Sequence, residues 1–181
     1  DMTGQGFYAD VQEVQVSDQV ILRCFQLPCG GNVFTLSTKF ETVLIDTGYG
    51  NYFPDIREML PAFGLPDPVR ISRIIITHGD ADHAGGAGNC AGIVWMHPAT
   101  WKVIERANRA YGSHEESSVL EAVYTKLINT FSSFRIPRTV ELFKTGSTKK
   151  REIFPVLTRF TLGDIEFEVL EGLGGHLVGQ I

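Results

Sequence analysis

At 181 residues, 43% hydrophobic and 20% charged, the chain carries enough apolar side chains to bury a core without disulfides or an obligatory partner, which excludes disorder as its dominant state. A formal net charge of −5 supplies no basic field for gathering phosphate backbones, so nucleic acid is not a favoured partner. Cys24, Cys29 and Cys90 make neither an even disulfide framework nor a C-x-x-C pair, and no apolar run approaches the roughly 18 residues that a bilayer demands; no membrane role and a reducing, cytoplasmic setting are expected.

The early segments 11–16, 20–25, 32–37 and 42–45 are short, β-branched or alternating, and are broken by Ser-Asp, Pro-Cys-Gly-Gly and Lys-Phe-Glu, which predicts a β-meander. Residues 46–50 read as a turn, after which Ile56, Met59, Leu60 and Phe63 recur at helical spacing behind Pro54. Segment 71–77 is a nearly continuous apolar strand of the doubly covered kind, followed by the polar stretch 78–83 and the small residues of 84–91. A further strand, 93–96, meets His97-Pro98, where proline suits a first helical turn. Helices are expected over 101–110 and 118–131. In the second, Val119, Val123, Leu127 and Phe131 stand four apart on one face, and Ser113-His114-Glu115-Glu116 reads as its entrance. Beyond Pro137 strands return at 159–162 and 165–170 around a Gly163-Asp164 turn, with Lys149-Lys150-Arg151 in a polar loop ahead of them. Strands alternating with helices indicate α/β layers, and with neither repeat nor linker in view a single domain is expected over 1–181.

The chemistry concentrates after the 71–77 strand. Side chains of an extended chain repeat every two residues, so His78, Asp80 and Asp82 can project to one side, and His83 joins them where the chain turns into a helix. Gly79 and Ala81 leave room for tight backbone packing. Imidazole and carboxylate together suit zinc, iron or manganese, whereas calcium prefers more oxygens.

The run His78-Gly79-Asp80-Ala81-Asp82-His83, with Thr77 before it and Ala84-Gly85-Gly86 after it, resembles the His-x-His-x-Asp-His signature of the metallo-β-lactamase superfamily. Leu44-Ile45-Asp46-Thr47-Gly48 resembles that family's second-strand motif, and Gly174-Gly175-His176 its later Gly-His motif. The resemblance runs from about Val11 to Ile181 and implies an αββα sandwich around two divalent metal ions, zinc first. By the same resemblance His78, Asp80 and His176 hold one metal, Asp82 and His83 hold a second, and Asp46 is a buried carboxylate that orients the ligand loop without touching metal.

Two departures qualify this expectation. Asp80 stands where most members have histidine, which makes the first site harder and brings iron or manganese into consideration. The family's bridging aspartate and last histidine have no counterpart here, so the domain is expected to be C-terminally incomplete. The function implied is hydrolysis of a small-molecule ester, lactone, thioester, amide or phosphodiester, with Asp82 orienting the attacking water. An iron-dependent oxidoreductase of the same fold, or a degenerate non-catalytic domain, is the alternative. Outside the motif, His97 reads as a helix cap, His114 as part of a solvated helix start, Lys149 to Arg151 as a solvated loop, and Trp95 and Trp101 as core. Tyr49 is a candidate for the site mouth.

Overall fold

The computed structural model describes residues 10–27, 30–106, 118–173 and 179–181. Four short strands open the chain: β1 (Asp10–Gln15), β2 (Ile21–Gln26), β3 (Val33–Ser37) and β4 (Thr42–Ile45). They pair antiparallel in sequence order, the meander expected of them. From β4 onward the geometry changes. Helix α1 (Phe53–Ala62) carries the chain back so that β5 (Arg73–Ile75) lies parallel to β4. The short helix α2 (Ala81–Ala84) precedes β6 (Ile93–Met96), and helices α3 (Pro98–Ile104) and α4 (Val119–Phe131) precede β7 (Val140–Leu142); both strands add in parallel. Parallel neighbours require such crossovers, because a tight turn only reverses the chain. A second, three-stranded antiparallel sheet is built from β8 (Lys150–Arg151), β9 (Phe154–Leu162) and β10 (Ile165–Leu170). The hairpin joining β9 to β10 turns on Gly163, whose φ of +59° suits glycine.

The alternation of the central strands distributes their side chains between two cores. Leu44, Ile74, Val94 and Met96 pack on the helix-covered side with Ile56, Met59 and Leu60 of α1. Their neighbours Val43 and Ile75 point the other way and pack with Leu157, Leu162 and Val169 of the second sheet. A central strand buried on both faces is apolar at consecutive positions, which explains the consecutive isoleucines Ile74, Ile75 and Ile76. Between the sheets an apolar cavity of about 330 Å³, bordered by Leu36, Ile75, Phe160, Phe167 and Ile181, reaches Thr77.

Several expectations change. The regular part of the 71–77 strand is confined to Arg73–Ile75, because Pro68–Arg70 forms a short 3-10 turn before it. After it, Ile76 donates to Trp95 O at 2.9 Å outside the regular ladder. Lys150 and Arg151 are not in a loop: they form β8 and pair with Pro155 and Phe154. The edge strand β7 was not expected at all. The expected 101–110 helix begins earlier, at Pro98, and its regular span ends at Ile104; residues 107–110 and 113–116, with His114, lie outside the described residues. The apolar face of α4 is exposed, Val119 at 82% and Phe131 at 76%. Periodicity identified an amphipathic helix but carries no information on what covers it. Among the described residues no helix is long and apolar enough to cross a membrane, and Cys24 and Cys90 are free thiols.

Candidate metal centre

The centre is built where β4 and β5 end side by side. Asp46 follows β4, is 1% exposed, and has φ of +61°, a left-handed conformation that aspartate tolerates better than most residues. Its backbone N–H donates to Ile75 O at 2.8 Å, which locks the turn onto β5. The carboxylate then collects donors from the segment leaving β5. Thr77 donates from its backbone N–H to Asp46 Oδ1 at 2.8 Å and from its hydroxyl to Oδ2 at 2.7 Å. His83 Nδ1 lies 2.8 Å from the same Oδ2. A charged carboxylate buried this deeply requires such donors to offset its desolvation.

Proton accounting orients both histidines. The single Thr77 hydroxyl proton goes to Asp46, so the 2.9 Å contact between Thr77 Oγ1 and His78 is donated by His78 Nδ1–H. His83 Nδ1–H likewise donates to Asp46. In each neutral ring Nε2 is then the unprotonated nitrogen. His78 Nε2 lies 3.6 Å from Asp80 Oδ2, His83 Nε2 lies 3.5 Å from Asp82 Oδ2, and the two rings are 4.0 Å apart at their centroids. Two ligands on one tetrahedral cation, with bonds of about 2.0–2.2 Å, stand about 3.3–3.5 Å from each other, so each His–Asp pair has close to the spacing of a shared ion. Among the described residues no group of three or more His, Cys, Asp or Glu side chains converges in this way. His176 lies outside the described residues.

The two pairs differ in environment. The side chains of His78 and Asp80 are each 9% exposed, whereas His83 and Asp82 are 24% and 28% exposed and form the open side. Burial is the largest influence on the His83 imidazole and pushes it down, but the hydrogen bond and charge of Asp46, with the charges of Asp82 and Asp80, carry it above its ordinary value. Asp80 occupies the N-cap position of α2 with extended backbone and makes no side-chain cap bond, so its carboxylate does not serve the helix.

Sequence reasoning passed over several supports of this centre. Thr77 was noted only as a flanking residue, yet it links Asp46 to His78. Thr47 donates from both its backbone and its hydroxyl to His83 O, at 2.7 and 2.9 Å. Gly31, at φ of +77°, approaches so closely that a Cβ there would lie 2.3 Å from Asp82 O. The Gly-Gly pair was legible as a turn, but its contact with Asp82 depends on tertiary packing. His97 caps α3 as expected, accepting from Ala99 N–H at 3.0 Å, and is buried. Trp95 is half-buried and contributes to the core between the sheets, while Trp101 flanks the helix-side core. Tyr49 packs edge-on to Tyr52 at 6.2 Å between ring centroids.

A layered α/β chain with a carboxylate-braced histidine loop at the strand ends defines a class, and comparison with known proteins gives that class a family. The family model described as Metallo-beta-lactamase superfamily matches residues 27–178, and the chain belongs to this superfamily. Its members in general carry out metal-dependent hydrolysis with divalent metals, often zinc. A Cronobacter sakazakii metallo-β-lactamase with a HARLDQ motif is similar at 18% identity and TM-score 0.61, over 93% of this chain and 57% of that one. A subclass B3 metallo-β-lactamase of Bradyrhizobium japonicum is similar at 18% identity and TM-score 0.60, over 97% and 57%. A metallo-β-lactamase from Novosphingobium pentaromativorans is similar at 16% identity and TM-score 0.56, over 93% and 53%. At these identities the likeness concerns the fold, and the chain spans little more than half the length of these structures. Comparison with curated proteins finds no match.

Proposed function

We propose that this chain is a metal-dependent hydrolase that cleaves a small-molecule ester, lactone, thioester, amide or phosphodiester. In this reading His78, Asp80 and His176 hold one divalent ion, Asp82 and His83 hold a second, and Asp46 braces them. Zinc is the first choice; the carboxylate of Asp80 in place of an imidazole hardens the donor set and makes iron and manganese the alternatives to test. The observation that carries the reading is the buried Asp46 network, which engages His78 through Thr77 and His83 directly, each at Nδ1, and so sets both neutral rings in the tautomer whose Nε2 is unprotonated.

A bound divalent ion supplies water of lowered pKa and polarises the substrate oxygen. The protein's own groups do the rest. Asp82, on the open side of the pair of rings, orients the attacking water through its carboxylate. Asp46 keeps the His83 ring in one tautomer, and the missing Cβ of Gly31 lets the turn pack directly against the Asp82 backbone. The HARLDQ motif of the Cronobacter sakazakii protein, set beside 78–83, shares the first histidine and the aspartate and also departs from histidine at the third position. That supports a non-histidine residue at the Asp80 slot of this fold.

The test is metal analysis followed by a substrate panel. The chain, stripped of metal and reloaded separately with zinc, manganese and ferrous iron, is expected to bind at least one ion with micromolar or tighter affinity. It is then expected to hydrolyse at least one member of an ester, lactone, thioester, β-lactam and phosphodiester set. His78→Ala should abolish both, and Asp82→Asn should abolish hydrolysis. A folded protein that binds none of the three ions overturns the proposal.

A further inference from the structure

We propose that His97 and Thr100 are positioning residues, a clamp that holds Glu171 and Gly179, the described flanks of 174–178, beside the His78 loop. This rests on the reading of His176 as a ligand. The described residues on either side of 174–178 are joined to each other by one contact and to the rest of the fold by three. Gly172 N–H donates to Gln180 O at 2.7 Å, joining the two flanks. Ile181 N–H donates to Thr77 O at 3.0 Å, on the residue immediately before His78. Thr100, on α3, donates its hydroxyl to Gly179 O at 2.9 Å in a fully buried contact. His97, at the junction of β6 and α3, lies with its Nε2 3.4 Å from Glu171 Oε1.

The chemistry of His97 makes it more than a cap. Its Nδ1 accepts the Ala99 N–H, so the neutral ring carries its proton on Nε2, a buried atom with no hydrogen bond among the described residues and the Glu171 carboxylate 3.4 Å away. The ring's other edge is a wall for Gly179, where a Cβ would stand 2.6 Å from His97 Nδ1 and 3.0 Å from Thr100 N. Gly179 has φ of +80°, a conformation open to glycine. Bare backbone therefore packs face to face with α3, and its carbonyl meets the Thr100 hydroxyl. One flank is held by a neutral hydrogen bond and the other lies beside an imidazole, and neither contact uses a residue of the proposed metal site. Errors of about 1 Å in a supporting shell are enough to impair a metal centre, so the clamp has a measurable consequence there.

Thr100→Val keeps the shape and removes the hydroxyl. In metal-free protein it is expected to speed hydrogen exchange of the Ile181 amide at least tenfold while the melting transition remains cooperative. It is also expected to weaken zinc binding about tenfold and to alter the visible absorption of the cobalt-substituted protein. Thr100→Ser should restore all three. His97→Asn preserves a helix-capping acceptor but not the wall or the proximity to Glu171, so it should reproduce the Thr100→Val phenotype with α3 intact. Unchanged Ile181 exchange in both variants overturns the clamp. Faster exchange with unaltered zinc affinity and cobalt spectrum overturns its role in positioning. His176→Ala separates the underlying reading: if zinc affinity is indifferent to that substitution, His176 is not a ligand, whatever the amide exchange reports about the clamp.

Discussion

Asp46 draws three donors onto one buried carboxylate, and its removal strands all three. Asp46→Ala leaves Thr77 N–H, the Thr77 hydroxyl and His83 Nδ1 without their acceptor. Under the proposed function its effect falls on metal affinity: zinc binding is expected to weaken about 10- to 100-fold in competition with a chromophoric chelator. Wild-type affinity in that variant would remove the case for Asp46 as the brace. His83 adds a dependence on pH. Its imidazole is held above its ordinary value, so folding favours the protonated ring. That stability is fully present below about pH 6.5 and is lost as pH rises through the higher value of the folded state. In the metal-free protein the unfolding free energy from urea titrations is therefore expected to decline across that window, and the decline should shrink in His83→Gln. An identical slope in the two proteins would contradict the assignment.

Among the elements, β5 and α4 illustrate opposite relations between pattern and environment. The apolar run through β5 is covered on both faces, Ile74 by the helices and Ile75 by the second sheet. The apolar face of α4 has no such cover among the described residues, with Val123 and Leu127 each 50% exposed. Charge at these two positions should therefore cost little: Val123→Lys and Leu127→Lys are each expected to shift stability by less than about 0.5 kcal/mol in chemical denaturation. A loss of about 2 kcal/mol in either variant would mean that the face is covered in solution. The loop elements matter as much as the regular ones. The turns at Asp46 and Gly31 adopt positive φ where they meet the 78–83 loop, so the local backbone is shaped by the packing around that loop.

For the whole molecule, stability and site geometry share the same central strands. Leu44 is 0% exposed, lies in the helix-side core and stands two residues before Asp46. Leu44→Ala is expected to cost about 2–5 kcal/mol, since the surrounding core relaxes only partly around the space left behind. The measurement is equilibrium unfolding of the metal-free protein, and a cost below about 1 kcal/mol would show that the core does not pack as described. The layered arrangement also explains why the site lies at the ends of the central strands. Parallel strands end together, and the loops leaving β4 and β5 emerge side by side with their backbone groups free to cross-link.

What the sequence determined on its own was whatever local periodicity and a short motif can encode. The meander, the doubly buried run and the six-residue His/Asp motif were legible because side-chain alternation and the spacing of His78, Asp80, Asp82 and His83 are properties of contiguous chain. The resemblance built on that motif identified the family and hence the αββα layering. The rest lay beyond the reach of local pattern. β8 is a polar dipeptide that becomes a strand because β9 offers it a ladder, and α4 carries a core-like stripe that nothing described covers. Thr77 links Asp46 to His78 because two strands end at the same height. The clamp of His97 and Thr100 on Gly179 joins residues about eighty positions apart. Contacts of that separation are created by packing, and tertiary structure alone decides which backbone carbonyl a buried hydroxyl will meet.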